Sequence, residues 1–251
     1  MKVYLVGAGP GDPELITVKG KKLLEKADLI VYAGSLVNPK LLEYARPEAV
    51  KVDSAPKTLE EIVELMVEYA RAGKVVVRLQ TGDPSLYGAV EEQKRALKAY
   101  GVELEWIPGV SSFLGATARL GLELTVPDGT QTVILSRIAG RTSVPEKEDL
   151  TELAKIGSTL VLFLSVDKID EVVEKISRVR DLKTPVAVVY KATFPEEKII
   201  LGTLADISEK VKQEKISKTA LIFVGEFLDP PATRSKLYDP NFSHGGRGQS
   251  D

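Results

Sequence analysis

The chain has no cysteine, and its single histidine, His244, stands in a polar C-terminal stretch. These two absences exclude a disulfide scaffold, zinc sites of the Cys/His kind, thiol nucleophiles and a Ser-His-Asp triad within the folded body. No apolar run reaches the roughly 18 residues that a membrane-spanning helix needs. The first residues, MKVYLVGAGPGD, lack the regions of a signal peptide and run straight into a strand-like segment, so a cytoplasmic protein is expected. Charge of either sign is not in excess. Lys+Arg 34 against Asp+Glu 36 leaves a formal net charge of -2, which argues against a general nucleic-acid binder with its basic footprint. A local basic patch for an anionic small molecule remains compatible with that total. No Asp-rich loop of the calcium type occurs, and no metal is expected. The chemistry must therefore use carboxylates, hydroxyls, amines, backbone groups or a bound organic cofactor.

The 251 residues are 43% hydrophobic and 28% charged, an ordinary globular composition. Short β-branched runs alternate with amphipathic helical stretches. KVYLVG (2–7), DLIVYA (28–33), AVKV (49–52), KVVVRL (74–79) and VELEWI (102–107) read as strands. Between them, residues 15–27 show helical spacing with Leu15, Val18, Leu23 and Leu24 on one side, and Thr58 with Glu61 forms a capping box ahead of a second helix. Helices over 88–100 and 111–120 complete an α/β unit with a mainly parallel sheet over residues 1–121. Pro127, Asp128 and Gly129 mark a linker within 122–129. A second α/β unit extends to 228, with strands at 131–136, 158–165, 185–190, 198–203 and 219–225 and helices at 146–156, 168–178 and near 204–213. Only seven residues separate the strands at 185–190 and 198–203, so an antiparallel pair is expected there. Residues 229–251, with Pro230, Pro231, Pro240 and three late glycines, read as a mobile tail. The fold class is α/β in two domains, with a pocket expected between them.

Three glycine-containing loops follow strands of the first unit. Gly7-Ala8-Gly9-Pro10-Gly11-Asp12 invites a dinucleotide reading, but Asp12 stands where the third glycine belongs and Pro10 removes a backbone donor. The second strand ends Tyr32-Ala33-Gly34, with no acidic residue for a ribose hydroxyl, so a nicotinamide dehydrogenase fails. Thr81-Gly82-Asp83-Pro84-Ser85-Leu86-Tyr87-Gly88 follows the fourth strand, and Asp83 reads either as a turn former or as a carboxylate that orients a ligand. Pro108-Gly109-Val110-Ser111-Ser112 follows the fifth.

GAGPGDPELIT (7–17), TGDPSLYG (81–88) and PGVSSF (108–113), continued by TLVLFLS (159–165), VVYKAT (188–193) and TALIFVG (219–225), resemble the S-adenosylmethionine-dependent tetrapyrrole methylase family over about residues 1–228. VYAGSLV (31–37), SRIAGRTSVPE (136–146) and KATFPEEKI (191–199) look most like members that methylate C11 of precorrin-4 or its cobalt form in cobalamin synthesis. The resemblance implies a class III methyltransferase fold of two α/β domains with the cofactor in the cleft, homodimeric, with S-adenosylhomocysteine as product. It implies that Pro10, Thr81, Gly82, Asp83, Leu86, Ser111 and Ser112 line the cofactor pocket and that Phe163, Leu164, Ala192, Thr219 and Ala220 close it from the second domain. Ala33 stands where uroporphyrinogen-III methyltransferases carry an acidic residue, which argues against that activity and transfers no proton acceptor. A sibling enzyme acting at another ring carbon and a non-catalytic nucleotide-binding module are the competing readings.

Methyl transfer from a sulfonium needs alignment and shielding more than acid–base groups, so the lack of His and Cys is no obstacle. A polycarboxylate substrate calls for cations, with Arg78, Arg119, Arg137, Arg141 and Lys191 as candidates. Arg137 and Arg141, in a glycine-containing loop after a strand, lead that set, and Tyr32 and Tyr87 are candidates for stacking on the macrocycle.

Overall fold

The structure, a computed structural model, describes residues 1–140, 142–230 and 232. Arg141, His244 and all of the expected tail but residues 229, 230 and 232 lie outside them. The chain divides into two compact units, Met1–Arg119 with Lys191–Lys198, and Leu120–Tyr190 with Ile199–Asp251.

In the first unit the strands are β1 (Lys2–Gly7), β2 (Leu29–Tyr32), β3 (Val50–Asp53), β4 (Val76–Gln80) and β5 (Glu103–Ile107). They form one sheet in the order β3-β2-β4-β1-β5, and every pairing is parallel. Nearly continuous apolar runs produce this arrangement, because a parallel strand is covered on both faces. β4 is buried along its whole length. Helix α1 (Val18–Lys26) places Leu24 on one face of the sheet, where Val6, Ile30, Val77 and Leu79 meet it. Helices α2 (Leu59–Arg71) and α3 (Val90–Ala99) cover the other face, with Met66 and Leu97 against Val3, Leu29, Val31 and Val76. The chain thus leaves β1 toward one face and β4 toward the other. In an open parallel sheet such a divergence opens a crevice at the carboxyl ends of the two strands.

The capping box forms as expected: Thr58 N–H donates to Glu61 Oε2 at 2.7 Å and Glu61 N–H to Thr58 Oγ1 at 3.3 Å. The stretch 15–27 does not form one helix. A 3-10 turn covers Pro13–Leu15, and Thr17 then starts α1 by accepting from Gly20 N–H at 3.1 Å. This restart turns Val18 to solvent, 71% exposed, and Leu15 to 38%, so the apolar stripe reduces to its C-terminal part. Two 3-10 turns, Gly34–Leu36 and Pro39–Tyr44, occupy a segment without helical or strand periodicity. Helix α4 (Ser112–Leu120) follows β5.

The second unit holds β6 (Val133–Arg137), α5 (Leu150–Ala154), β7 (Thr159–Phe163), α6 (Ile169–Ser177), β8 (Pro185–Tyr190), β9 (Lys198–Thr203), α7 (Ile207–Gln213) and β10 (Ala220–Val224). Its sheet runs β6-β7-β10-β8-β9. β6 and β7 are parallel, while β10 is antiparallel to both β7 and β8. Leu160, Leu162, Val188 and Ile222 pack against Val172 and Ile176 of α6 and Ile207 and Val211 of α7. The helix expected over 146–156 is shortened, because Asp149 caps a new start by accepting from Thr151 N–H at 2.9 Å.

Leu24 is fully buried whereas Leu15 is 38% exposed. Leu24→Ala is therefore expected to cost about 2–5 kcal/mol of stability and Leu15→Ala well under half of that. Urea unfolding of the two variants checks this, and equal losses would restore the single-helix reading of 15–27.

Candidate functional site

The carboxyl ends of β1, β4 and β5 converge because two glycines, Gly7 and Gly109, remove the side chains that would keep them apart, and Gly82 supplies the turn between them. A Cβ on Gly109 would lie 2.3 Å from Gly82 O and 2.8 Å from Gly7 Cα, and one on Gly7 would lie 2.6 Å from Gly109 Cα. Backbone hydrogen bonds complete the junction: Gly82 N–H donates to Gly9 O at 2.8 Å and Ala8 N–H to Gln80 O at 2.7 Å. Gly9 (φ +79°) and Gly82 (φ +60°) occupy the left-handed region that this doubled turn requires.

Asp83 ties the second loop to the third. Its Oδ2 accepts from Gly109 N–H at 2.9 Å, 26 residues away, and its Oδ1 accepts from Ser85 N–H at 2.8 Å and from Ser85 Oγ. Burial pushes this carboxyl up, but the bonds from Ser85 and Gly109 outweigh burial and hold it below the ordinary aspartate value of 3.8. The turn-forming reading of Asp83 is visible here, as a carboxylate that fixes the geometry of two loops. Ser111 is buried at the start of α4, with its carbonyl accepting from Leu114 and Gly115 N–H, while Ser112 and Thr81 are half-buried and Leu86 shares the loop of Thr81. Pro10 packs on α4, since a Cβ on Gly115 would lie 2.6 Å from its ring. The structure thus brings Pro10, Thr81, Gly82, Asp83, Ser111 and Ser112 onto adjoining loops of one unit.

The segment Lys191–Lys198 groups with these loops and not with the strands that flank it in sequence. Thr193 Oγ1 accepts from Asp12 N–H at 2.8 Å, and the Phe194 ring sits where a Cβ on Gly11 would be, 2.3 Å away. Glu197 accepts from Thr193 N–H at 2.6 Å and from Arg119 Nε at 2.7 Å. Ala192, buried, belongs to this segment and therefore to the first unit. Asn38 adds a support with no functional motif in the sequence: its buried Nδ2 donates to Gly11 O at 2.8 Å while its Oδ1 caps the turn after it. The Asn-Pro dipeptide at 38–39 was its one visible signal.

In the second unit, Phe163 ends β7, buried, and Leu164 follows it at φ +49°, 68% exposed. Thr219 (φ +56°) precedes β10, whose first residue Ala220 pairs with Tyr190 of β8. A β-branched residue at positive φ is an uncommon, strained state that clusters at functional sites. Of the basic candidates, Arg137 donates to three carbonyls of its own loop, those of Ile138, Thr142 and Ser143, at 3.3, 3.1 and 2.7 Å. Lys191 lies 3.8 Å from Glu196 and over the Phe194 ring, and Arg78 is buried in β4. Arg141 lies outside the described residues. Tyr32 packs against the core around Leu24, and Tyr87 is 45% exposed at φ +56°. Among the described residues no cluster of His, Asp or Glu is placed to hold a metal, and no helix is long and apolar enough to cross a membrane.

Asp83→Ala is expected to lower stability by about 1–2 kcal/mol at neutral pH, since it removes charge-assisted bonds at a partly exposed site. A carboxyl depressed on folding stabilises above its unfolded value, and that contribution is lost as pH falls through the folded value. The gap between parent and variant in urea unfolding should therefore close below about pH 3.8, the ordinary value; a gap unchanged down to pH 2 would contradict the assignment.

The sequence profile of the Tetrapyrrole (Corrin/Porphyrin) Methylases matches residues 2–208. The cobalt-precorrin-4 C(11)-methyltransferase of Methanocaldococcus jannaschii is 58% identical over 246 residues, 97% of this chain and 95% of that protein. The enzyme of the same name from Priestia megaterium is 50% identical over 98% of each chain. The X-ray structure of a cobalamin biosynthetic cobalt precorrin-4 methyltransferase superposes with a TM-score of 0.89 at 49% identity, covering 91% of this chain and 96% of that one. A Thermus thermophilus uroporphyrin-III C-methyltransferase, complexed with S-adenosyl homocysteine, gives 0.76 at 33% identity, covering 91% and 94%. With its α/β units, its glycine-tied loops and these relatives, the chain belongs to the tetrapyrrole (corrin/porphyrin) methylase family.

Proposed function

We propose that this chain is an S-adenosylmethionine-dependent methyltransferase of cobalamin biosynthesis that methylates C11 of cobalt-precorrin-4 or precorrin-4. The observation that carries the reading is the contrast within one organism. The C11 enzyme of M. jannaschii is 58% identical to this chain, while its uroporphyrinogen-III C-methyltransferase is 35% identical. The cobalt form of the substrate is favoured, because relatives named for it are 58% and 50% identical and those named for precorrin-4 are 42–46%.

The three loops suit the cofactor. None of the segments 7–12, 81–88 and 108–112 contains Lys or Arg, and Pro10 withholds a donor from the first loop. A glycine-rich phosphate cradle works through backbone N–H groups, so the donor missing at Pro10 favours a nucleoside without phosphate and weighs against a nucleotide-binding module. The hydroxyls of Thr81, Ser111 and Ser112 and the backbone around Gly82 and Gly109 would hold it. When bound, S-adenosylmethionine supplies an electrophilic methyl group on a sulfonium sulfur. The task left to the protein is placement. Asp83, locked to Gly109 and Ser85, keeps two loops in register, and Asn38 and Thr193 fix the first loop from either side. Rigid positioning of this kind accounts for much of the barrier lowering in transfers between two bound reactants.

Incubation of the purified protein with S-adenosylmethionine and cobalt-precorrin-4, or precorrin-4, and NMR of the product tests this. A new methyl on C11, with faster turnover of the cobalt form, is the expected result. A methyl on another ring carbon would establish a sibling activity, and cofactor binding without transfer to either ring would establish a module.

A further inference from the structure

We infer that Arg78 and Gln93 are positioning residues for the loop Thr81–Ala89, holding its far end in the left-handed backbone that presents Leu86 and Tyr87. The inference deepens the reading of this loop as part of the binding site and rests on it.

Arg78 lies in the middle of β4, 6% exposed, on the face covered by α2 and α3. No carboxylate pairs with it among the described residues. Burial draws its pKa down to about 10, so the guanidinium stays charged at neutral pH. A buried cation without a counter-charge is costly, and an apolar side chain of similar volume would fill the same space without that cost. Its hydrogen bonds indicate what it does. Nη1 donates to Val31 O on β2 at 3.1 Å and Nε donates to Gln93 Oε1 on α3 at 3.0 Å. Gln93, itself 7% exposed, passes the connection on, its Nε2 donating to Ala89 O at 3.2 Å. A sheet strand, a buried cation and a buried carboxamide are thus connected to one carbonyl at the end of the site loop.

That carbonyl belongs to a strained turn. Ala89 has φ +47° and ψ +46° and begins α3 with no capping side chain, and Tyr87 has φ +56°. Both are non-glycine residues in the left-handed region, on either side of Gly88, and such states persist only where their surroundings enforce them. Gly88 is itself closely enclosed, as a Cβ there would lie 2.3 Å from Pro84 O and 3.0 Å from Gln80 Oε1. Gln80 shares the face of Arg78, is 7% exposed, and its Oε1 is buried without a hydrogen-bond partner. Three buried polar side chains therefore line the underside of a two-residue strain, in a sheet whose other positions on that face are apolar. A fold needing only stability would place aliphatic residues there.

The test compares Gln93→Leu and Arg78→Met with Leu97→Ala in the full-length chain. Leu97 is fully buried one turn along the same helix, so its truncation destabilises α3 without removing a hydrogen bond of the relay. The readouts are thermal midpoint, hydrogen exchange of the amides from Leu86 to Val90, and the dissociation constant for S-adenosylhomocysteine. Gln93→Leu is expected to speed exchange at those amides at least tenfold relative to the rest of the first sheet and to weaken S-adenosylhomocysteine at least tenfold. Leu97→Ala should lower the midpoint as much or more with neither local effect. Arg78→Met is expected to reproduce Gln93→Leu, and if it does not fold, Gln93→Leu decides alone. Unchanged exchange in Gln93→Leu, or an equal rise in Leu97→Ala, overturns the inference. Faster exchange with unaltered affinity overturns the part that assigns this positioning to binding. A parent chain that binds no S-adenosylhomocysteine rejects the proposed function instead, and the exchange rates still decide whether the relay positions the loop.

Discussion

Everything at the candidate site depends on one close approach. The backbones at Gly7 and Gly109 meet each other and the Gly82 carbonyl where a side chain on either glycine would collide, and Gly82 turns its carbonyl there at φ +60°. This contact draws the ends of three neighbouring parallel strands together, and the two strands at its centre send their helices to opposite faces of the sheet. The crevice that results is a consequence of topology, while its shape is set by the missing Cβ atoms. Close packing makes such a junction nearly incompressible, so what is bonded to it is held firmly in place.

Around that junction the polar groups are largely turned inward. Asp83, Asn38 and Thr193 spend hydrogen bonds on loop backbone, and Glu197 spends its own on the Thr193 N–H and on Arg119. The catalytic demand explains this economy. A methyl transfer in which the cofactor carries the leaving group asks the protein for alignment, and alignment is a property of rigid loops. Such a reaction requires neither cysteine nor histidine, and the chain has no cysteine and a single histidine. Charge for a polycarboxylate substrate is a separate requirement. Arg119 and Arg137 meet protein acceptors here: Arg137 stiffens its own loop, and Arg119 ties the end of α4 to Glu197.

Much of this was legible in the sequence. Strand periodicity located the ten strands of the described residues to within a residue or two, because buried strands and their flanking glycines leave a strong local signal. Thr58 and Glu61 were readable for the same reason, being three residues apart. The three loops were visible as motifs, and their order along the chain carried the family. Other features were not local. Asp83 meets Gly109 across 26 residues, and Asp12 meets Thr193 across 181. No pattern within either segment specifies those partners. The affiliation of Lys191–Lys198 with the first unit was hidden for the same reason, since its neighbours in sequence are strands of the second. Leu15 and Val18 misled because helical spacing continues through a point where the Thr17 cap restarts the helix. Arg78 read as a candidate for binding a polycarboxylate, because an isolated basic residue gives no sign of being buried under helices.

The central claim is that the loops joined at Gly7, Gly82 and Gly109 are the cofactor-binding surface of the first unit. Amide-resolved NMR of the isotopically labelled protein, titrated with S-adenosylhomocysteine, addresses it most directly. Among first-unit amides, saturable shifts concentrated within residues 8–12, 81–88 and 109–113 are the result this account predicts. Saturable binding whose first-unit shifts fall outside those three loops, or that leaves the loops unmoved, would contradict it.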